Sequence, residues 1–270
     1  MEPYGWVGRI LRVDLTSRRI AEDDTRKYAN DFVGGRGAAA RIAWEEIPPG
    51  IDAFDPENRL IIMTGPITGT LAPTSGRFEV CGVAPQAYPR PHYTRSCVGG
   101  HWGPELKYAG YDGIVVKGRA ESPVCLWIND RQASLVDAGN LWGLDVFATQ
   151  RKLLETYNGK PQVMCIGPAG EKLVRIAVIQ SGIENAAGQG GFGAVMGFKR
   201  LKAIAVRGTG AVRIADPERF VEVCRHVRRV AHARLSACGA VQEQEAPPLP
   251  EERTHAWLRQ GGRERCRVGA

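Results

Sequence analysis

The residues able to do chemistry in this chain are glycines set in loops, with arginines among them. Five segments carry the pattern: Gly34-Gly35-Arg36-Gly37, residues 64–77 (TGPITGTLAPTSGR), residues 96–103 (SCVGGHWG), residues 166–170 (IGPAG) and residues 186–193 (AAGQGGFG). Glycine lets a backbone approach a ligand closely, and successive backbone N–H groups form concavities that bind anions. Arg36, Arg77 and Arg95 lie in or beside these loops, and a guanidinium fork matches phosphate geometry. Any one cluster reads equally well as a set of tight turns. Together they point to one large phosphate-bearing ligand held by loops.

The obvious phosphate ligand is a dinucleotide, and two segments match its fingerprint on paper. Residues 188–193 (GQGGFG) fit G-x-G-x-x-G and residues 35–40 (GRGAAA) fit G-x-G-x-x-A. A dinucleotide site needs a strand before the glycines, a full crossover helix after them and an acidic residue about 20 positions on. After Gly193 only about ten residues precede the next strand, too few for a crossover. The other candidate follows a helix-like segment. Both contexts are wrong for the fingerprint.

Other reactive residue types give weaker signals. The seven cysteines (Cys81, Cys97, Cys125, Cys165, Cys224, Cys238 and Cys266) are widely spaced with no C-x-x-C pair, so most read as small buried hydrophobes rather than disulfides or zinc ligands. His101 and Trp102 read either as a ligand-facing pair or as a hydrogen-bonded histidine beside a packed aromatic. Glu105 and Lys107 read as a solvated helix turn, and Lys199, Arg200 and Lys202 as a solvated basic face. The net charge of +7 comes from 36 basic and 29 acidic residues without a dense basic run, which argues against nucleic acid. No run of about 18 apolar residues is present to span a membrane. The N-terminal stretch lacks the apolar core of a secretory signal, and a cytoplasmic protein is expected.

The elements that must position the loops are short. Alternation predicts a strand–turn–strand over 7–23, and strands at 59–63, 78–83, 113–117, 124–128, 162–166, 173–179 and 202–206. A helical period covers 25–46, broken at Gly34-Gly35, and an amphipathic helix covers 144–157. Another runs over 216–235, with Asp216 as N-cap and Pro217 at its first position. Beyond Ser236 the sequence has no periodicity and is rich in Pro, Glu and Arg. About ten short strands in hairpin-like pairs, with few helices, predict an α+β fold with largely antiparallel sheets.

The segments GPITGTLAPTSGR, SCVGGHWGPELKYAGYDGIVVKG, IGPAGEKLVRIAVI and AAGQGGFGAVMGFKRLKAIAV, in that order, resemble the N-terminal domain of the aldehyde ferredoxin oxidoreductase family. The resemblance runs from about Gly5 to about Leu235. It implies a tungsten bis-pyranopterin (tungstopterin) cofactor with a bridging Mg ion, and a 4Fe-4S cluster whose ligands lie outside this chain. It implies related β-rich units with short flanking helices forming a base for the cofactor. It divides the chain into a tungstopterin-binding domain over 1–212, the start of a helical domain over 213–235 and a divergent, disordered tail over 236–270. It further implies oxidation of aldehydes to acids in a cytoplasmic, anaerobic setting, a small aldehyde or acid as substrate, ferredoxin or another electron-transfer subunit as partner, and scope for a homo-oligomer.

Residue roles follow from the same resemblance. Arg77 contacts the pterin cofactor. Ser96, Cys97, Gly99 and Gly100 form one cofactor-binding loop, and Asn185, Ala186, Ala187, Gly188, Gln189, Gly190 and Gly191 form the other. Cys97 and Ala186 stand at the magnesium. The family often has asparagine at the position of Cys97, and a hard cation prefers oxygen, which puts side-chain ligation there in doubt. Asn185 and Gln189 stand where the family has arginines, so the phosphate grip is softer or is supplied by another residue. No residue here is assigned to catalysis, because the cluster cysteines and the proton-transfer glutamate and histidine belong to later domains. The chain is read as a truncated or frame-disrupted member, inactive alone. The alternatives are a fragment of the tungsten subunit of an anaerobic benzoyl-CoA reductase and a non-catalytic cofactor-binding remnant.

Overall fold

The computed structural model describes residues 4–87 and 89–237, with side chains to residue 231. The first unit begins with a hairpin, β1 (Arg9–Asp14) and β2 (Arg19–Asp24), followed by α1 (Arg26–Ala29) and α2 (Arg36–Glu46). It continues through β3 (Leu60–Thr64), β4 (Phe78–Ala84), β5 (His92–Val98), α3 (Trp102–Tyr108) and β6 (Gly113–Lys117). The second unit repeats the plan. It has a hairpin of β7 (Val124–Asn129) and β8 (Gln132–Asp137), then α4 (Val146–Thr156), β9 (Gln162–Cys165), α5 (Pro168–Glu171), β10 (Ile179–Ser181), β11 (Asn185–Ala187), α6 (Phe192–Phe198) and β12 (Leu201–Arg207). A long helix, α7 (Pro217–Ala237), follows.

Each unit contributes one six-stranded sheet, in the orders β2-β1-β6-β3-β4-β5 and β8-β7-β12-β9-β10-β11. The two orders are the same plan, down to one parallel pair each, β1 with β6 and β7 with β12. All other pairings are antiparallel, so the largely antiparallel α+β fold and its related β-rich units are as expected. The registers align too: Glu79 pairs with Cys97 as Gln180 pairs with Ala186.

The third helix of each unit packs on the other unit's sheet: α3 on β9 and β12, α6 on β3 and β4. These helices therefore fill the layer between the sheets, where Phe78, Trp102, Ile114, Met164, Phe192 and Ile204 form the largest apolar core. Trp102 anchors this exchange, fully buried, with its Nε1–H donating to the Ile204 carbonyl at 3.1 Å. The outer faces are closed by α2 over Ile10, Ile61 and Met63, and by α4 over Cys125, Cys165 and Ala203. Wholly buried strands such as β3 (LIIMT) suit a sheet covered on both faces.

Local chemistry fixes the helix starts. Asp145 caps α4, its Oδ1 accepting from the N–H groups of Phe147 and Ala148, both at 2.8 Å. Asp216 accepts from Arg219 N–H at 3.0 Å at the start of α7, as its sequence predicts. The expected break at Gly34-Gly35 separates α1 from α2.

Four expectations are corrected. The strand expected at 173–179 is instead a turn and loop that follow α5 and reach the short β10 only at Ile179, because Pro168 after Gly167 starts a helical turn and Leu173 takes φ +58°. β5 was hidden in a segment read as glycine loop, yet it pairs with β4 over seven positions. Glu105 and Lys107 are buried, not solvated: Lys107 Nζ reaches Asp112 Oδ1 and the Gly5 carbonyl, each at 2.6 Å, while Gly208 N–H donates to Glu105 Oε1 at 2.9 Å. Lys199 and Lys202 are also internal. Lys202 pairs with Glu171, and Lys199 donates to the carbonyls of Asn58, Gly118 and Pro56 at 2.6, 3.1 and 3.3 Å. The tail, with Cys238 and Cys266, lies outside the described residues apart from the end of α7.

Candidate functional site

The duplicated plan places two loops in equivalent positions, one from β5 into α3 and one from β11 into α6. Gly100 and Gly190 both adopt φ +88°, a conformation that favours glycine. The loops press against each other where the units meet. A Cβ at Gly99 would lie 2.7 Å from Asn185 Oδ1, and one at Gly100 2.8 Å from Asn185 Nδ2, so the Asn185 amide lies directly on that backbone. Gln189 N–H donates to Ser96 Oγ at 3.2 Å, and Gly190 N–H to Gln86 Oε1 at 2.6 Å.

The third loop, 64–77, closes on the first. A Cβ at Gly76 would come within 2.9 Å of the Gly100 carbonyl. Arg77 emerges there, exposed, with Nη1 3.7 Å from Cys97 Sγ. The loop holds its shape through Thr68, whose Oγ1 accepts from Gly65 N–H at 3.1 Å and donates to the Arg77 carbonyl at 3.3 Å. The fourth, Gly34–Arg36, is tied in by Gly35 N–H donating to the Thr64 carbonyl at 2.9 Å. Four of the five glycine segments therefore converge on one surface. The fifth serves packing, since Gly170, Gly193 and Gly197 let α5 and α6 touch backbone to backbone.

The expected site residues divide by exposure. Arg77, Gly188 and Gln189 are exposed, while Cys97, Gly99, Gly100, Asn185 and Ala186 are half-buried at the same surface. Ser96, Ala187, Gly190 and Gly191 are buried beneath it and brace it. Gly188 has open space where a Cβ would stand, whereas Gly191, at φ +71°, is crowded by the Arg175 carbonyl. His101 is exposed at the start of α3, beside the packed Trp102.

A pocket of about 200 Å³ adjoins Arg77 on the α2 side of the first sheet, lined among others by Gly35, Arg36 and Glu79. Sequence reading missed Glu79 and Gln86, since neither stands in a motif. Burial pushes the thiols of Cys81, Cys125 and Cys165 up to about 12, which makes them inert packing groups, as expected for most of the cysteines. Among the described residues no three His, Cys, Asp or Glu side chains are grouped to hold a metal ion.

The duplicated sheets, exchanged helices and joined glycine loops define a class of paired-sheet base domain. Residues 10–208 match the N-terminal domain of aldehyde ferredoxin oxidoreductase, and the chain belongs to that family. It is 44% identical over 224 residues to the tungsten-containing aldehyde ferredoxin oxidoreductase of Pyrococcus horikoshii, covering 82% of this chain and 36% of that protein. It is 34% identical to the aliphatic sulfonate oxidoreductase, WOR-like subunit, of Pyrococcus furiosus, covering 80% of this chain and 37% of that one. Among solved structures, the active-site complex BamBC of benzoyl coenzyme A reductase with 1,5-dienoyl-CoA matches with a TM-score of 0.84 and 33% identity, over 99% of this chain and 45% of that one. The chain thus spans little more than a third of the length of these curated relatives.

Proposed function

We propose that this chain is the cofactor-holding part of a tungsten-dependent oxidoreductase of the aldehyde-oxidising kind, with residues 1–212 as the base and 213–235 as the start of a following helical domain. One observation carries the reading: two topologically equivalent glycine loops meet beside an exposed arginine, which suits a ligand bearing two phosphate-linked arms. The tungsten named in the relatives supports a tungsten cofactor, which on this reading is a tungsten bis-pyranopterin. When bound, that group supplies two-electron redox chemistry at its metal.

What this chain contributes is grip and orientation. Gly188 leaves open space for a ligand to approach its backbone, while Gly99 and Gly100 are covered by the Asn185 amide. Arg77 supplies charge, and Asn185 an uncharged amide. The site suits such a ligand through the open backbone at Gly188 beside the exposed side chains of Arg77 and Gln189. The position of Cys97 fits magnesium poorly: its sulfur faces a guanidinium, and a hard cation prefers oxygen. No step is routed through that ion. Ala186 occupies the register position equivalent to Cys97 and has only a backbone carbonyl to offer. A 4Fe-4S cluster, ferredoxin or another electron-transfer partner, and an aldehyde or acid substrate belong to the whole enzyme. The higher identity to the aldehyde enzymes favours aldehyde oxidation over the benzoyl-CoA reductase branch.

Metal analysis by mass spectrometry tests the proposal. Protein purified anaerobically from a host that makes the cofactor is expected to carry tungsten or molybdenum at near one per chain. Protein free of both metals would instead be a remnant that binds nothing.

A further inference from the structure

Resting on the reading above, we infer that Gln86 is a positioning residue for the phosphate-holding loop of the second unit, acting across the boundary between the units. It stands just past β4, in the first unit, and it holds both polar groups of Gly190. Its Oε1 accepts from Gly190 N–H at 2.6 Å, and its own backbone N–H donates to the Gly190 carbonyl at 3.4 Å. One residue earlier in the loop, Gln189 N–H donates to Ser96 Oγ, also of the first unit, at 3.2 Å. Two successive amides of the loop are thereby taken up by side chains of the other unit.

This loop needs a hold from outside. Glycine loses more freedom on ordering than any other residue, and the loop contains Gly188, Gly190 and Gly191, the last two at φ +88° and +71°. A Cβ at Gly188 would meet nothing within 4 Å, and Gly188 and Gln189 are both exposed. Gly190 is buried, so its N–H depends on the Gln86 acceptor in place of water. Gln86 is steadied in turn by the second unit. Arg175 Nη1 donates to the Pro85 carbonyl at 3.0 Å, and its guanidinium lies 5.6 Å from the centre of the Phe54 ring. The Arg175 carbonyl and the Pro85 ring both press on Gly191. The device is one-sided. β4 and β5 are joined through residues 85–91, but β10 and β11 through 182–184 alone, which leaves the second unit no turn of comparable reach. The first unit's loop is instead covered by the Asn185 amide. A ligand that meets a loop already held in shape does not have to order it on binding, so loss of the Gln86 acceptor weakens the ligand's hold.

The test uses the full 270-residue chain, unsubstituted and as Gln86→Met and Gln86→Glu. Methionine keeps the length of the side chain and removes the acceptor, while glutamate keeps an acceptor at the same reach. Pyrophosphate binding is measured by calorimetry, and amide exchange over residues 186–193 by mass spectrometry. Gln86→Met is expected to bind pyrophosphate about tenfold more weakly and to exchange faster in that segment. Gln86→Glu is expected to restore the exchange protection and part of the affinity, its added charge opposing the anion. Equal affinity in the unsubstituted chain and Gln86→Met overturns the inference and leaves the phosphate-holding surface standing. A loss of affinity without faster exchange over 186–193, or faster exchange that Gln86→Glu does not reverse, overturns it as well. If the unsubstituted chain binds no pyrophosphate, the phosphate-holding reading falls and the inference with it.

Discussion

On the proposed reading Arg77 is the residue on which the phosphate grip turns, because the equivalent position in the second unit is Val178. The equivalence follows from the registers, in which Glu79 corresponds to Gln180. Arg77→Ala is expected to weaken pyrophosphate binding about tenfold or more, and Arg77→Lys to restore only part of it, since a point charge replaces a fork. Lys199 offers a different residue-scale test. Burial, with Arg59 nearby, pulls its ammonium down to about 7 from the 10.5 of an exposed lysine. Between those values the unfolded chain holds a proton that the folded chain has released, so this group makes stability rise as pH increases. The three buried thiols act oppositely from about pH 9, because unfolding frees them to ionise. Urea unfolding midpoints are therefore expected to climb from pH 7 to 8.5, and Lys199→Met is expected to flatten that climb. An equal slope in both proteins would show that Lys199 does not titrate there.

At the scale of elements, α3 is the test piece because it belongs to one unit and packs on the other. Trp102→Ala removes its anchor and a hydrogen bond to β12. A loss of about 3–5 kcal/mol is expected in denaturant melts, for an aromatic deleted from a filled core. The outline of the elements was legible in the sequence wherever alternation or caps marked it, as with β1–β2, α4 and the start of α7. β5 was not, because HYTRSCV alternates weakly and runs straight into glycines. The buried lysines were illegible for a related reason. A charged run reads as a wet face, and only the fold supplies the carbonyls and carboxylates that receive Lys107, Lys199 and Lys202. In the site, the two glycine loops were readable as loops, but that they are counterparts emerges only from strand order.

At the scale of the molecule, relatives named for aldehyde, aliphatic sulfonate and benzoyl-CoA chemistry share this base. On the proposed reading, a base common to such different named activities would hold what they have in common and leave substrate choice to other parts. Viologen-linked aldehyde oxidation by the 270-residue chain alone is accordingly expected to be undetectable. Measurable turnover would place catalytic groups on this base after all.

The two units have kept their plan and lost their likeness. On one side stand a guanidinium and a helix opened by Gly35; on the other, a valine and a helix already closed by Asp145. A ligand made of two identical arms, laid across this base, would cease to be symmetric. Its halves would feel different potentials and leave at different rates, and one end would be distinguishable from the other before any partner or substrate arrived.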